Sequence, residues 1–182
     1  MDVRVLVAYS SKHGSTAELA RSIALTLSRA GMDVDVLPAA DVQDVRRYRV
    51  VILGSAVYGG RWRAEAVSFF DRFSMQLFGR DVWLFQSGPL GNSAQAILRS
   101  LPLNVGVYAE YLRVKGWASF GGKLDGTAGG PVARFLARAG FAGDYRDFAA
   151  VRLWAEDVAR ATALSNAAGR NQGSRLVSSG VR

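Results

Sequence analysis

Short buried strands alternate with amphipathic helices along most of the chain. Residues Val3–Tyr9 are mostly apolar and β-branched, which is typical of a strand buried on both faces. Within Thr16–Ala30, Leu19, Ile23 and Leu27 recur every fourth residue, which predicts an amphipathic helix. The other predicted elements are strands at 32–37, 50–54, 81–85 and 117–121 and helices at 64–77, 104–112, 131–139 and 147–163. This alternation predicts an α/β fold, with a doubly wound five-stranded parallel sheet and helices on both faces.

The length of the chain and its change of composition indicate one domain and a tail. A chain of 182 residues can bury one core, removing roughly 70% of its unfolded surface from water. From Ser165 onward the chain is rich in Ser, Asn, Gly and Gln and has arginines but no acid. We therefore predict a domain at 1–164 and a flexible basic tail at 165–182.

Composition excludes several kinds of chemistry. The chain has no cysteine, which excludes disulfides, thiolate metal sites and cysteine nucleophiles, and His13 is its single histidine. We predict no metal site and find no acid–base pair that stands out as catalytic. No apolar run approaches the roughly 20 residues that span a membrane, and the N-terminus lacks a secretory signal. We expect a cytoplasmic protein.

The chain is basic. It has 23 lysines and arginines against 15 acids, a formal charge of +8. Such a charge attracts anionic partners, which include acidic small molecules and the inner face of a membrane. Solubility alone is the open alternative. The arginines are not interleaved with stacking aromatic residues, so nucleic acid is not an expected partner.

Three polar or glycine-rich loops follow predicted strands, at residues 10–16, 55–62 and 86–92. The carboxyl ends of parallel strands are where such folds bind ligands. The first loop has four hydroxyl side chains and precedes a helix, whose N-terminus attracts phosphate. The alternative is a plain capped helix, with Ser15 as the N-cap and Glu18 completing a capping box.

Other phosphate-binding motifs are absent from the sequence. The first loop has no Gly-x-x-x-x-Gly-Lys-Ser/Thr and no Gly-x-Gly-x-x-Gly, which disfavours nucleotide triphosphatases and dinucleotide-binding folds. A phosphorelay receiver would need acids where Ser10 and Ser11 stand.

Tyr9–Ala17 resembles the hydroxyl-rich phosphate loop of the flavodoxin family, and Gly54–Gly60 resembles its second flavin loop. Gly143–Phe148 and Phe120–Asp125 are similar to segments of a subgroup, the proteins related to menaquinone-dependent protoporphyrinogen oxidase. The resemblance covers about residues 3–164. It implies a sheet with strand order 2-1-3-4-5 and FMN as the cofactor.

The resemblance also implies which residues bind FMN. The phosphate would be held by the first loop, at Ser10, Ser11, Lys12, His13, Gly14, Ser15 and Thr16. Ser10 lies one place before the family's first ligand, His13 replaces a hydroxyl residue, and Lys12 is open to a solvated role. The flavin ring would be held by the other loops, at Ala56, Val57, Tyr58, Gly59, Gly60, Trp62, Ser87, Gly88, Pro89, Leu90 and Gly91. Tyr58 and Trp62 are the candidates to stack on or flank the ring, the alternatives being a rim contact and packing on the next helix.

The resemblance implies an FMN-dependent oxidoreductase that passes electrons between a reduced substrate, such as a porphyrinogen, and a quinone-type acceptor. Arg61 and Arg63 border the second loop and are candidates to meet a substrate carboxylate, unless both are simply solvated. One alternative is a small electron carrier with a redox partner protein. Another is a binding or scaffold module without FMN.

Overall fold

A computed structural model of the chain describes residues 3–88, 100–124 and 143–178. Its elements in chain order are β1 (Arg4–Ser10), α1 (Ser15–Arg29), β2 (Asp33–Pro38), β3 (Val50–Tyr58), β4 (Arg61–Trp62), α2 (Ala64–Leu77), β5 (Asp81–Gly88), α3 (Leu103–Tyr111), β6 (Gly116–Gly121), β7 (Lys123–Leu124), β8 (Gly143–Asp144) and α4 (Phe148–Ser178).

One sheet organises the fold. Its strands lie in the order β2-β1-β3-β5-β6 and pair in parallel, while the short β4 pairs antiparallel with β3. This confirms the predicted fold and the order 2-1-3-4-5, with β4 as an added strand. The chain turns from one half of the sheet to the other between β1 and β3. In such a sheet the ligand crevice opens beyond the carboxyl ends of these two strands.

The sheet separates two hydrophobic layers. Side chains of a strand alternate between its faces, so Leu6 and Ala8 of β1 point to the layer beneath α2 and α3. Val5 and Val7 point to the opposite layer, beneath α1 and α4. All four side chains are fully buried, which explains why the sequence of β1 is continuously apolar.

The helices bury the faces that their spacing predicts. In α1 the residues Leu19, Ile23 and Leu27 are fully buried. In α4 the buried residues Val151 and Ala155 face the same layer. The Asp147 carboxylate accepts hydrogen bonds from the N–H groups of Ala149 and Ala150, at 2.9 and 3.0 Å, and so caps the N-terminus of α4.

Three elements extend by three or more residues beyond their predicted ends, and most of the others differ from prediction by one residue. β3 continues to Tyr58 instead of ending at 54, because β4 turns back and pairs with its end. β5 continues to Gly88 instead of ending at 85. α4 continues to Ser178 instead of ending at 163, and its alanine-rich middle favours helix. The division into a domain at 1–164 and a basic tail stays a prediction, and the helix predicted at 131–139 lies outside the described residues.

Within the part of the chain that the structure describes, no helix is both long and apolar enough to cross a membrane.

Candidate functional site

The three predicted loops meet at the carboxyl edge of the sheet. The hydroxyls of Thr16 and Ser87 lie 2.8 Å apart and join the first loop to the third. The indole N–H of Trp62 donates to the side-chain oxygen of Gln86 at 3.0 Å and joins the second loop to β5. These two side-chain hydrogen bonds connect the three loops, so the loops lie next to one another at this edge.

The first loop ends at an open helix N-terminus. Gly14 is the N-cap of α1, with a φ of 85° that glycine adopts without strain, and no side chain caps the helix. The first intrahelical bond runs from the Glu18 N–H to the Gly14 carbonyl at 3.0 Å. The N–H groups ahead of Glu18 are therefore left by the helix for another acceptor.

The capping-box alternative is not what the structure has. Ser15 is the first residue of the helix rather than its cap. Its side-chain oxygen accepts a hydrogen bond from the Lys123 N–H at 3.1 Å. The Glu18 carboxylate pairs instead with the Arg146 guanidinium at 2.5 Å. The helix N-terminus is thus left available to an anion.

Hydroxyls at the start of α1 retain protons to donate. Ser15 acts as an acceptor toward Lys123, and its own O–H donates to no other residue that the structure describes. In the buried pair of Thr16 and Ser87, one hydroxyl donates to the other, which leaves one proton of the pair for a ligand. Hydroxyl and backbone donors around an open helix N-terminus suit a phosphate group.

The other residues of the first loop differ in how they are placed. Ser10 is buried, and its hydroxyl donates to Glu65 at 3.0 Å and accepts from Arg63 at 3.1 Å, so it is already paired within the protein. Lys12 and His13 are exposed. The Lys12 ammonium lies 5.8 Å from the centre of the Tyr58 ring. Ser11 is half-buried at the end of β1.

A cluster around Arg146 braces the start of α1. The Arg146 side chain is only 6% exposed and pairs with Glu18 and with Asp144, each at 2.5 Å. Its guanidinium also lies over the Phe148 ring, 5.1 Å from the ring centre. Hydrogen bonds from Arg146 lower the pKa of Asp144 to about 2. Arg146 thereby neutralises an acid, Glu18, that lies in the first turn of α1 near the predicted phosphate site.

The second loop is a tight hairpin. Gly59 and Gly60 have φ values of 55° and 72°, as the two central residues of a type I′ turn require. Val57 pairs with Trp62, and Tyr58 pairs with Arg61. The hairpin therefore presents a glycine peptide at the edge of the sheet, where a ligand can approach the backbone closely.

The side chains of the second loop point in different directions. Ala56 and Val57 are buried, so only their backbones are open to a cofactor. Tyr58 is 48% exposed. Burial nevertheless raises the pKa of its phenol, an effect that the nearby Arg63 partly offsets.

Trp62 is a correction to the predicted ring contacts. It is 3% exposed, and its ring stacks on Phe70 of α2 with ring centres 6.3 Å apart. Its N–H is used by Gln86. Trp62 therefore packs on the helix that follows it, which was the alternative to flavin stacking. Burial on the core side of the hairpin leaves no ring face for a cofactor.

The third loop is described in part. Ser87 is buried beside Thr16, and the Gly88 carbonyl accepts a hydrogen bond from the Gly122 N–H at 2.9 Å. A Cβ at Gly122 would lie 2.8 Å from that carbonyl, so glycine is needed for this contact. The remaining predicted residues lie outside the described ones: Pro89, Leu90 and Gly91.

Arg61 and Arg63 were the candidates to meet a substrate carboxylate, and the structure gives them different surroundings. The Arg63 guanidinium pairs with Glu65 at 2.6 Å and donates to the Ser10 hydroxyl, so its charge is compensated within the protein. A hydrogen bond from the backbone N–H of Glu65 itself, together with Arg63, lowers the pKa of that carboxyl. Arg61 is exposed on β4, and among the described residues no acid pairs with it.

Sequence reasoning missed the residues that hold the loops together. Gln86 and Asn104 fasten the hairpin, and Arg146 braces α1. Gln86 is a polar residue near the end of a mostly apolar strand and gives no signal that tells a buried amide from a solvated one. The Gly59–Gly60 pair is a recognisable hairpin signal and would have predicted β4.

The residues present fit FMN. The first loop offers hydroxyl and backbone donors at an open helix N-terminus, as a phosphate requires. The hairpin beside it offers a glycine turn and the half-exposed ring of Tyr58, as a flavin ring requires.

Comparison with known proteins agrees with this site. A family model described as a flavodoxin domain matches residues 6–139, which include the first two loops and β5. No curated protein matches the chain.

Solved structures of flavodoxins share the fold. A flavodoxin of Streptococcus pneumoniae is 17% identical with a TM-score of 0.63, and the match covers 87% of this chain and 99% of that one. A point mutant of the flavodoxin of Pseudomonas aeruginosa is 16% identical with a TM-score of 0.58, covering 87% and 98%. Two-electron reduced flavodoxin of Megasphaera elsdenii is 25% identical with a TM-score of 0.52, covering 63% and 84%.

The family match extends over most of the chain, and the donors of the first loop and the glycine turn of the second lie where the fold binds its ligand. The chain therefore belongs to the flavodoxin family, and it is a redox flavoprotein whose cofactor is FMN.

Proposed function

We propose that this protein is an FMN-dependent oxidoreductase that passes electrons between a small anionic reduced substrate and a quinone-type acceptor. The observation that carries the proposal is the charge at the entrance to the ring site. Arg61 is exposed and without an acid partner among the described residues, and Lys12 lies over the Tyr58 ring. A positive entrance attracts an anionic substrate and favours the anionic form of a reduced flavin.

The residues of the chain have separate tasks in this reaction. Bound FMN supplies the hydride or electron transfer. Ser15 and the open N-terminus of α1 would hold its phosphate, and Arg146 neutralises the nearby Glu18. Gly59 and Gly60 would let the backbone approach the flavin ring, and the half-exposed Tyr58 would contact it. Arg61 orients the carboxylate of the substrate as it approaches.

The resemblance to the menaquinone-dependent protoporphyrinogen oxidase subgroup supports a porphyrinogen as the reduced substrate. A porphyrinogen carries several carboxylates, which match a basic entrance. Quinones reside in membranes, and the formal charge of +8 favours contact with an anionic membrane surface. We accordingly infer a cytoplasmic protein that acts at the inner membrane face.

Anaerobic rapid mixing tests the proposal. FMN-loaded protein is mixed with protoporphyrinogen, and the reduced protein is mixed with a soluble quinone such as menadione. We expect fast flavin reduction in the first experiment and fast reoxidation in the second. Arg61→Glu should raise the substrate concentration needed for half-maximal reduction about tenfold, because it replaces attraction by repulsion. Arg113→Glu, at an exposed arginine following α3, is the matched control and should leave it unchanged.

The second candidate is a small electron carrier. The match covers 99% of the pneumococcal flavodoxin and 98% of the Pseudomonas protein, so the shared region is nearly the whole of those two flavodoxins. If the reduced protein reacts with neither quinone nor porphyrinogen, yet passes electrons to cytochrome c, the carrier is the correct function. Both redox functions use FMN, the cofactor of the flavodoxin family, whereas a scaffold module would not. The two redox functions are therefore preferred to the scaffold module.

A further inference from the structure

Gln86 is a fully buried carboxamide beneath the flavin site. It lies in β5, one residue before Ser87, and its side chain has no solvent exposure. A buried amide costs free energy unless its donors and acceptor are paired. Its partners therefore indicate what the residue is for.

The hydrogen bonds of Gln86 within the described part of the chain reach three other segments. The side-chain oxygen of Gln86 accepts from the Trp62 indole N–H at 3.0 Å. Its nitrogen donates to the Ser119 hydroxyl of β6 at 2.8 Å and to the Ser100 carbonyl at 3.2 Å. An indole N–H can only donate, so the oxygen must face Trp62 and the nitrogen must face the other two partners. One amide thus joins the hairpin, β5, β6 and the segment before α3.

The backbone pairing of the hairpin is short, so its position depends on side-chain contacts. β4 has two residues and pairs only with Val57 and Tyr58 of β3. The Asn104 side chain adds two long hydrogen bonds to the backbone of Trp62. Its oxygen accepts from the backbone N–H at 3.4 Å, and its nitrogen donates to the backbone carbonyl at 3.3 Å. Trp62 is therefore the residue through which Gln86 and Asn104 hold the glycine turn.

We propose that Gln86 is a positioning residue for the flavin ring. Gln86 acts by holding Trp62, and with it the Gly59–Gly60 turn, in a fixed position at the edge of the sheet. The inference rests on FMN binding and not on the substrate proposed above. It assigns no catalytic step to Gln86, because the amide is beneath the hairpin and acts through Trp62.

Breaking the hydrogen bond between Gln86 and Trp62 should affect one part of the site and not the other. Without the bond, the remaining partner, either the buried indole N–H or the Gln86 side-chain oxygen, loses this hydrogen bond, and the hairpin must shift for water to replace it. Such a shift moves the turn that faces the ring but leaves the open N-terminus of α1 in place, since α1 is braced separately by Arg146. Ring binding should weaken while phosphate binding is retained.

Two variants and their combination test the proposal. Trp62→Phe removes the N–H donor and keeps an aromatic ring on Phe70, and Gln86→Met removes the amide at similar volume. Titrations of the apoprotein with FMN and with riboflavin, which lacks the phosphate, are followed by flavin fluorescence. We expect each variant to raise both dissociation constants about tenfold, to shift the absorption spectrum of the bound flavin and to change its midpoint reduction potential. Because both variants remove one shared bond, the double variant should bind no more weakly than the weaker single variant.

A glutamine on the protein surface provides the control. Gln76→Met makes the same chemical change on the exposed side of α2 and should leave every readout unchanged. A merely structural Gln86 predicts a lower urea midpoint of the apoprotein, with dissociation constants, spectrum and potential as in the wild type, and that result overturns the proposal. Additive effects in the double variant overturn it too. If Gln86→Met does not fold, Trp62→Phe alone decides between these outcomes.

The same titration separates this inference from the proposed function. Wild-type protein that takes up FMN but oxidises no porphyrinogen refutes the proposed substrate and leaves the Gln86 inference to its variants. Wild-type protein that takes up no FMN refutes the cofactor, and the positioning role with it.

Discussion

The first loop and the hairpin lie at the same edge of the sheet but are built on different principles. The first loop offers its own backbone: an uncapped helix N-terminus, a glycine at a φ of 85° and hydroxyls with protons to spare. The hairpin is held from outside, by Gln86 and Asn104 through Trp62. A phosphate site can be made locally, because an uncapped helix N-terminus leaves its first N–H groups without partners in the helix. A ring site needs tertiary contacts, because a two-residue strand cannot hold a turn at a defined height.

The largest effect is expected from a change in the core of the sheet, which supports both the first loop and the hairpin. A Cβ at Gly54 would lie 2.0 Å from the Phe85 ring, deep in the layer beneath α1 and α4. Gly54→Ala should lower the free energy of unfolding by about 3 kcal/mol, since the ring must leave its packed position. Urea denaturation of the apoprotein measures this. Gly106→Ala in α3, where a Cβ meets nothing within 4 Å, is the control. Equal stabilities of the two variants would contradict the prediction.

A change at Tyr58 should affect ring binding alone. Tyr58 is 48% exposed beside the glycine turn, so its removal costs little folding energy. Tyr58→Ala should raise the dissociation constants of FMN and riboflavin about tenfold, because a flat aromatic surface is lost. Isothermal titration calorimetry measures both constants. Tyr111→Ala, at a similarly exposed tyrosine (52%), should change neither. Unchanged flavin affinity in Tyr58→Ala would remove this residue from the site.

A change at Arg146 should affect phosphate binding alone. Arg146→Met leaves Glu18 as an uncompensated negative charge in the first turn of α1. The dissociation constant of FMN should rise about fivefold while that of riboflavin stays constant, since only FMN carries a phosphate. Fluorescence titrations of the two flavins give the comparison. Arg160→Met is the control, because Arg160 pairs with Asp157 on the outside of α4. Equal weakening of both flavins would mean that Arg146 supports the whole edge of the sheet.

The smallest expected effect is on pH dependence. The pKa of Asp144 is lowered from 3.8 to about 2 by hydrogen bonds from Arg146. A carboxyl with a lowered pKa stabilises the folded state above its unfolded pKa, and this contribution disappears as the pH falls from about 4 to about 2. Because Asp144 is largely solvated, the effect should be about 1 kcal/mol or less. Urea midpoints at pH 5 and pH 3 should differ less in Arg146→Met than in the wild type. An equal difference in the two proteins would show that the bond to Asp144 contributes nothing.

Much of the fold could be predicted from the sequence because its signals are local. The four-residue spacing of Leu19, Ile23 and Leu27 reports one buried helix face, and all three are fully buried. The apolar run of β1 reports a strand covered on both faces. The bounds of the strands were less predictable, because β3 is extended by pairing with a strand that comes after it.

The predicted site divides in the same way. The first loop was found because its hydroxyls and glycine are contiguous in the chain. Trp62 was misassigned because an aromatic residue after a glycine turn has the same sequence signal whether it faces a ligand or the core. The structure places it on Phe70 and Gln86, which come from α2 and β5. No pattern in residues 55–62 contains that information.

The sequence by itself therefore determined the alternation of the main strands and helices, the basic charge and the hydroxyl-rich composition of the first loop, since each depends on periodicity, composition or a contiguous motif. Only the tertiary structure decided which way Trp62 faces, that Arg63 is paired while Arg61 is exposed without an acid partner among the described residues, and that Gln86 and Arg146 brace the two halves of the site. The physical reason is that a buried polar or charged side chain is stable only beside its partners. Those partners are brought from distant parts of the chain by the packing of the sheet.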